Sequence, residues 1–332
     1  MNKALKYIVV SIIFFGHIDI SEASDFTRLL SDPNYLINEV RKAEENMNNI
    51  TADIDVWAEE RANTNDSWQK NPLISFSTRV WMDGSPGGKI RIDVNGEKAI
   101  WHKNNESVVL ERDYSLSYDG KQGMELLRRE SRDGKEYDRM PEGRIFSHKP
   151  QQLYSKNLIF ASGMRLTLNH FFISDECNIF GNSFSGLLTL NQQARLMGEP
   201  SYDITMEVYM GIKCIKIRTP LSLKKMTEIW WLDPNRSFLL VGYMHKSIRN
   251  GIEWIGENIQ VMNAVEAAPG IWFPVEAICV SEPSFATNWK YRKCFYKAKN
   301  IQINLSDLDK NTYRINFPEK ARVVTEVPEN TN

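Results

Sequence analysis

The stretch that most constrains the fold is EIWWLDPNRSFLLVGYM, residues 228–244, because both of its faces are apolar. Two apolar runs flank the turn sequence DPNRS, which is typical of a β-hairpin. Successive strand residues point to opposite faces, so a sheet with one wet face alternates apolar and polar residues. By this alternation the second run places Phe238, Leu240 and Gly242 on one face and Leu239, Val241 and Tyr243 on the other. A covering layer is needed on each side of the hairpin.

Similar runs, separated by turn sequences, recur through most of the chain. Asn95-Gly96 and Asp119-Gly120 are strong hairpin signals, and consecutive hairpins produce an antiparallel sheet. We count roughly ten or eleven strands with short connections, a sheet too large to stay flat. The predicted fold class is therefore mainly β (α+β): a large curled antiparallel sheet or incomplete β-barrel, with an N-terminal amphipathic helix and a few helices packed on or in it.

The N-terminal amphipathic helix is predicted from residues 31–50. Asp32 suits the N-cap and Pro33 the first helical position. Apolar residues recur at helical spacing and form one stripe, whereas charged residues fill the opposite face. The stripe comprises Leu36, Val40, Ala43, Met47 and Ile50.

The first residues resemble a secretory signal. Lys3 and Lys6 precede a short apolar run at 7–15, and small residues follow it, so we predict a signal peptide at 1–23 and an exported protein of the periplasm or cell envelope. An uncleaved membrane anchor is the alternative. No later segment approaches about 18 consecutive apolar residues, so no integral membrane span is expected after cleavage. Residues 24–318 are predicted to form a single domain with an insertion near 131–200, followed by a loose C-terminal tail at 319–332.

The charge balance excludes a general affinity for nucleic acid. The formal net charge is −1, and the calculated pI is about 6.6, which provides no global attraction to polyanions. The most basic window is NWKYRKCFYKAK, residues 288–299. Its lysines are explained either as protection of an edge strand against aggregation or as a surface for anionic lipid or a partner protein.

Export changes the interpretation of the four cysteines, since disulfides persist in oxidising compartments. Cys279 and Cys294 lie on two strand-like runs joined by one loop, where a hairpin could place the sulfurs opposite each other. Such a disulfide would add about 3 kcal/mol by chain entropy. Cys177 and Cys214 are too distant in sequence for their pairing to be judged, and buried free thiols are the alternative for them.

No catalytic or metal-binding constellation is recognisable. The histidines that follow the predicted signal peptide lack any metal-ligand spacing; they are His102, His148, His170 and His245. GNSFSG at 181–186 and SLKK at 222–225 superficially match nucleophile motifs but lack the sequence context those motifs need. The chain is therefore predicted not to be an enzyme, with no cofactor and no metal.

A family resemblance is carried by four stretches. They are NYLINEVRKAEENMNNITADIDVW, WWLDPNRSFLLVGYMHKS, GIWFPVEAICVSEP and the closing IQINLSDLDKNTYRINFPEKARV. In this order the chain resembles the periplasmic lipoprotein-carrier superfamily (LolA/LolB-like proteins and regulators of the RseB kind), especially its large uncharacterised outer-membrane lipoprotein-sorting-like members. The resemblance implies an incomplete barrel wrapped around helices and an apolar cavity that takes acyl chains. The long middle segment departs from the compact carriers.

Two functions are predicted from this resemblance and from the surplus of apolar strand surface. The first is binding of a lipid or lipoprotein acyl chain in an apolar cavity without covalent chemistry. Its candidate lining residues, taken as a set, are Trp57, Trp81, Trp101, Trp230, Trp231, Phe238, Trp254 and Trp272. The alternative is an envelope protein-interaction or sensing module with the same fold and a filled core.

Overall fold

The strands form one large curled, unclosed and mostly antiparallel sheet. The computed structural model describes residues 20–83, 89–103, 106–136, 141–146, 184–219, 226–249, 251–282, 290–306 and 308–326. Within these ranges the sheet has fifteen strands, and the predicted fold class is confirmed. The strand order is β15-β7-β5-β4-β3-β2-β1-β14-β13-β12-β11-β10-β9-β8, with β6 paired to β5.

Three α-helices accompany this sheet in the described part of the chain, besides the short 3-10 helices Pro234–Arg236 and Lys310–Tyr313. The α-helices are α1 (Ile20–Ser31), α2 (Pro33–Glu45) and α3 (Phe184–Leu196). The strands before α3 are β1 (Asn49–Arg61), β2 (Gln69–Asp83), β3 (Ile90–Lys103), β4 (Glu106–Tyr118), β5 (Gly123–Arg132), β6 (Lys135–Glu136) and β7 (Glu142–Phe146). Those after it are β8 (Asp203–Tyr209), β9 (Ile212–Arg218), β10 (Met226–Asp233), β11 (Leu239–Arg249), β12 (Ile252–Ala268), β13 (Ile271–Ser281), β14 (Tyr291–Ile303) and β15 (Arg322–Glu326).

The predicted N-terminal helix is confirmed as α2, with Asp32 as its N-cap. The Asp32 carboxylate accepts hydrogen bonds from the backbone N–H groups of Asn34 and Tyr35, both at 3.1 Å, which satisfies two of the unpaired donors of the first turn. The helix is shorter than its apolar stripe suggested. It ends at Glu45, and Ile50 is already a buried residue of β1.

The main hydrophobic core lies on one face of the sheet, called here the inner face, where the helices also pack. Leu36 and Val40 of α2 and Leu188 of α3 belong to the same buried cluster as the inward side chains of the strands. A buried hydrogen bond joins the two helices, because the Ser185 hydroxyl donates to a Glu44 carboxylate oxygen at 2.6 Å. The helices therefore form a second layer over the inner face.

The C-terminal segment covers part of the opposite, outer face. It begins beside Asn49, whose side chain bonds to both backbone groups of Leu305. It then buries Tyr313 and Ile315, the latter against Met124 and Leu126 of β5. It ends in β15, which pairs in parallel with β7. Residues 322–326, which the sequence placed in a loose tail, thus form a strand of the sheet.

Within the part of the chain that the structure describes, no helix is both long enough and apolar enough to cross a lipid bilayer.

Candidate functional site

The hairpin predicted at residues 228–244 is confirmed as β10 and β11, and its two faces belong to two different clusters. Trp230 and Leu232 point into the main core of the inner face. Ile229 and Trp231 join a second buried cluster on the outer face, together with Cys214. Each apolar face of the hairpin therefore has its own covering layer.

A β-bulge changes the face assignment within β11. Trp231 pairs with Gly242 and Leu232 pairs with Leu240, so Val241 is the extra residue on that strand. A bulge shifts the alternation by one position. As a result Tyr243 lies on the inner face with Leu240, and the simple alternation that placed it with Val241 is wrong.

The inner-face aromatic residues are enclosed by other side chains of the protein. Trp230 is 2% exposed, and its ring lies 6.1 Å from that of Tyr243 and 6.4 Å from that of Tyr202. The Tyr243 hydroxyl donates to Glu228 at 2.8 Å. Phe238 belongs to the same core. Trp230 and Phe238, both predicted to line a cavity, therefore pack against neighbouring residues of the chain itself.

The outer-face cluster is closed by two aromatic side chains. The Tyr209 ring stacks on Trp231, with 4.3 Å between centroids and 14° between planes. Trp272 packs against the same cluster, and the Arg236 guanidinium lies 5.0 Å from its ring. Burial raises the pKa of the Cys214 thiol in this cluster to about 12. Cys214 is therefore a protonated, unreactive thiol at neutral pH.

Three further predicted aromatics lie apart from both clusters: Trp57, Trp81 and Trp254. Trp57 stacks on Phe295, with 5.3 Å between their ring centroids. Trp81 lines an outer-face cavity of about 590 Å³ between β1, β2, β14 and the C-terminal segment. Trp254 is half-buried on β12, opposite Ser247. The side chain of Trp101 lies outside the described residues, and so do Trp289 and Cys177.

Several buried aromatic residues of the inner face were not predicted from the sequence. Phe273 is 1% exposed and Tyr296 is 5% exposed in the main core. Burial raises the pKa of the Tyr296 hydroxyl. Phe273 and Tyr296 each lie within a correctly predicted strand. The alternation of apolar and polar residues around them could have identified them as buried. The prediction favoured tryptophan and so overlooked these smaller rings.

The basic window around β14 is largely neutralised by neighbouring carboxylates. Arg292 pairs with Glu60 at 2.7 Å, Lys297 with Glu276 at 2.9 Å and Lys299 with Asp55 at 2.7 Å. The edge-strand interpretation of these lysines is wrong, because β14 is paired on both sides, with β1 and β13. Most of the positive charge of this window therefore serves cross-strand ion pairs.

Cys279 and Cys294 are direct cross-strand neighbours in the β13–β14 register. Neither of these two described cysteines is joined in a disulfide in the structure. Their opposition follows from the hairpin that the sequence predicted. We propose that they form a disulfide in an oxidising compartment.

Adding a reductant to protein purified from such a compartment should then lower the free energy of unfolding by about 3 kcal/mol, since the bond closes a loop of about 15 residues. Urea unfolding with and without dithiothreitol measures this change. The Cys294→Ala variant should not respond to the reductant. Titration of two free thiols in the untreated protein would contradict the proposal.

The β8 edge of the sheet carries an exposed apolar row. Met206, Val208 and Met210 are 37%, 69% and 48% exposed, respectively. β8 pairs with β9 on one side only, and no other described strand pairs with its free edge. Its two acidic residues are neutralised by Arg218 and Lys216 of β9.

No group of three or more histidine, cysteine, aspartate or glutamate side chains in the described ranges could hold a metal ion.

Comparisons with known proteins find similarity only at the level of structure. No family model matches the chain, and no curated protein matches it. A crystal structure of an outer membrane lipoprotein-sorting protein domain from Vibrio parahaemolyticus is 8% identical, with a TM-score of 0.42, over 84% of this chain and 95% of that one. A DUF1329 family protein from Desulfovibrio piger is also 8% identical, with a TM-score of 0.37, over 83% of this chain and 95% of the other.

A third similar structure is MucB in complex with MucA(peri), which is 9% identical with a TM-score of 0.19, over 83% of this chain and 100% of that one. The three structures are thus an outer membrane lipoprotein-sorting protein domain, a DUF1329 family protein and MucB. At these identities and TM-scores, no cargo, partner or residue role is transferred to this chain.

Proposed function

We propose that this protein is a protein-binding module of the cell envelope whose core is filled by its own side chains. The observation that carries this proposal is the burial of the inner face, where Trp230, Leu232 and Phe273 are each at most 2% exposed. An acyl chain gains about 0.8 kcal/mol per buried CH₂ only where apolar space is open to it. Side chains that already fill this surface leave little such gain.

The binding surface that we propose is the free edge of β8. An edge strand exposes unpaired N–H and C=O groups, which natural proteins usually protect with lysine, proline or a bulge. The sequence of β8, DITMEVY, contains neither lysine nor proline. Instead it exposes Met206 and Val208. An extended partner segment with alternating apolar residues could add to this edge as a further strand, with backbone hydrogen bonds giving affinity and apolar contacts giving specificity.

The test uses Val208→Lys, with Val324→Lys as a matched control. Val324 is 46% exposed on β15, at the opposite edge of the sheet. Lysine on β8 should weaken partner binding by about tenfold or more. Recovery of cross-linked partner from intact envelopes measures this effect, and Val324→Lys should retain the partner.

Equal recovery with both variants would exclude the β8 edge as the binding surface. Recovery of the wild-type protein with bound lipid and without a stoichiometric protein partner would instead favour the acyl-chain carrier that the family resemblance implies.

A further inference from the structure

A second cavity, of about 510 Å³, lies where β1 passes into β2, and its lining is rich in cations. Arg61, Lys70 and Lys290 contribute three positive side chains to this lining. Ser67 and Asn71 add a hydroxyl and an amide. Cations and neutral donors that converge on one concave site match the chemistry of an anionic ligand.

The carboxylates in this lining are engaged with other residues. Glu60 accepts from Arg292 of β14, at 2.8 Å from Nε and 2.7 Å from Nη2. Asp66 accepts from the backbone N–H and the side-chain amide of Asn63, at 2.9 and 3.0 Å. Glu60 is thus paired with a cation outside the lining, Asp66 is bonded to the neutral Asn63, and the three cations of the lining outnumber its two acids.

Arg61 is held against two aromatic rings. Its guanidinium carbon lies 4.5 Å from the centre of the Trp68 ring and 5.3 Å from that of Tyr291, its cross-strand partner. Its Nε is buried and has no hydrogen-bond partner among the described residues. A buried donor without a protein partner needs an explanation, and a guanidinium that serves an anion-binding site is one that fits. The two ring contacts also restrain the Arg61 side chain, so less side-chain entropy is lost when its outer N–H groups bind a ligand.

We propose that this cavity, lined by Arg61, Lys70 and Lys290, is a binding site for a phosphate group. A ligand with one carboxylate would carry a single negative charge opposite the three cations of the lining. A phosphate carries up to two negative charges and several acceptor oxygens. The phosphate can belong to a soluble phosphate compound or to a phospholipid headgroup. This site is separate from the β8 edge and does not depend on the proposed function.

Two probes distinguish these sources. Tryptophan fluorescence, to which Trp68 contributes, is titrated with orthophosphate. Co-sedimentation is measured with phosphatidylcholine vesicles that contain or lack phosphatidylglycerol.

Arg61→Gln should weaken whichever binding occurs by about ten- to a hundredfold, because it removes charge-assisted hydrogen bonds. Lys297→Gln is the matched control, since Lys297 is an exposed residue of β14 that pairs with Glu276 instead.

Orthophosphate binding that is lost in Arg61→Gln and kept in Lys297→Gln supports a site for soluble phosphates. Vesicle binding that depends on phosphatidylglycerol, with the same response to the two variants, supports a headgroup site. Failure of the wild-type protein to bind either probe overturns the proposal, and so does equal binding by the two variants. Lys70→Gln changes an exposed side chain of the same lining and replaces Arg61→Gln if that variant does not fold.

Discussion

Replacing Trp230 by alanine is expected to lower the free energy of unfolding by about 3–5 kcal/mol, the range for a large aromatic side chain removed from a packed core. Trp230 is among the largest fully buried side chains and contacts the Tyr202 and Tyr243 rings. Its removal would leave a void that these neighbours fill only in part. Chemical denaturation monitored by far-UV circular dichroism measures the loss.

Trp57→Ala is the control for this prediction. Trp57 is only partly buried and has the Phe295 ring stacked on it. Its replacement should cost less, with the lost ring stacking worth about 0.5–1.5 kcal/mol beyond the lost area. Equal losses for the two variants would contradict the distinction between a closed inner face and a peripheral ring pair. A negligible loss for Trp230→Ala would indicate that this ring borders open space.

Gly242→Ala is expected to destabilise the protein by about 1–3 kcal/mol, as overpacking does. A β-carbon on Gly242 would overlap the Tyr209 ring, which also stacks on Trp231. The ring would have to leave its position over the outer-face cluster. Thermal or urea unfolding of the purified variant measures the effect.

The matched control is a double-mutant cycle with Tyr209→Ala. Once the ring is absent, adding Gly242→Ala should change the free energy of unfolding by less than about 0.5 kcal/mol. Additive losses would show that the cost of Gly242→Ala does not arise from the Tyr209 ring. The two substitutions are suited to a cycle because the residues contact each other directly.

The general fold could be predicted because its signals are local. Alternation, hairpin turns and a capped helix are properties of neighbouring residues, and they correctly indicated one curled antiparallel sheet with α2 at its start. The count of ten or eleven strands was too low. The missed strands include the two-residue β6, β7 in the polar middle segment, and β15 in the predicted tail. These strands are short, and a short run carries little periodicity.

The candidate site was harder to predict, because it depends on register and on faces. The bulge at Val241 reverses the alternation that follows it, so Tyr243 was assigned to the wrong face. The ion pairs of β14 involve Glu60 and Asp55 on a strand more than 200 residues away in sequence. Composition reveals the basic residues of this window but not the acids opposite them.

Register and faces also explain why the eight aromatic residues predicted to line one cavity do not lie together. Trp230 and Trp231 are adjacent in sequence, yet they belong to the inner and the outer cluster, respectively. Trp81 lines a cavity bounded by the C-terminal segment. The path of that segment across the outer face is fixed by long-range contacts such as the one between Asn49 and Leu305. Choosing residues by type alone could not show that they lie on different faces of the sheet and in different clusters.

The filled inner face is tested most directly by native mass spectrometry of the protein purified from its own cell envelope under mild conditions. We expect the mass of the polypeptide alone or with a stoichiometric protein partner, and no added lipid. A reproducible adduct with the mass of a phospholipid or an acylated peptide, released when the protein is denatured, would contradict this account.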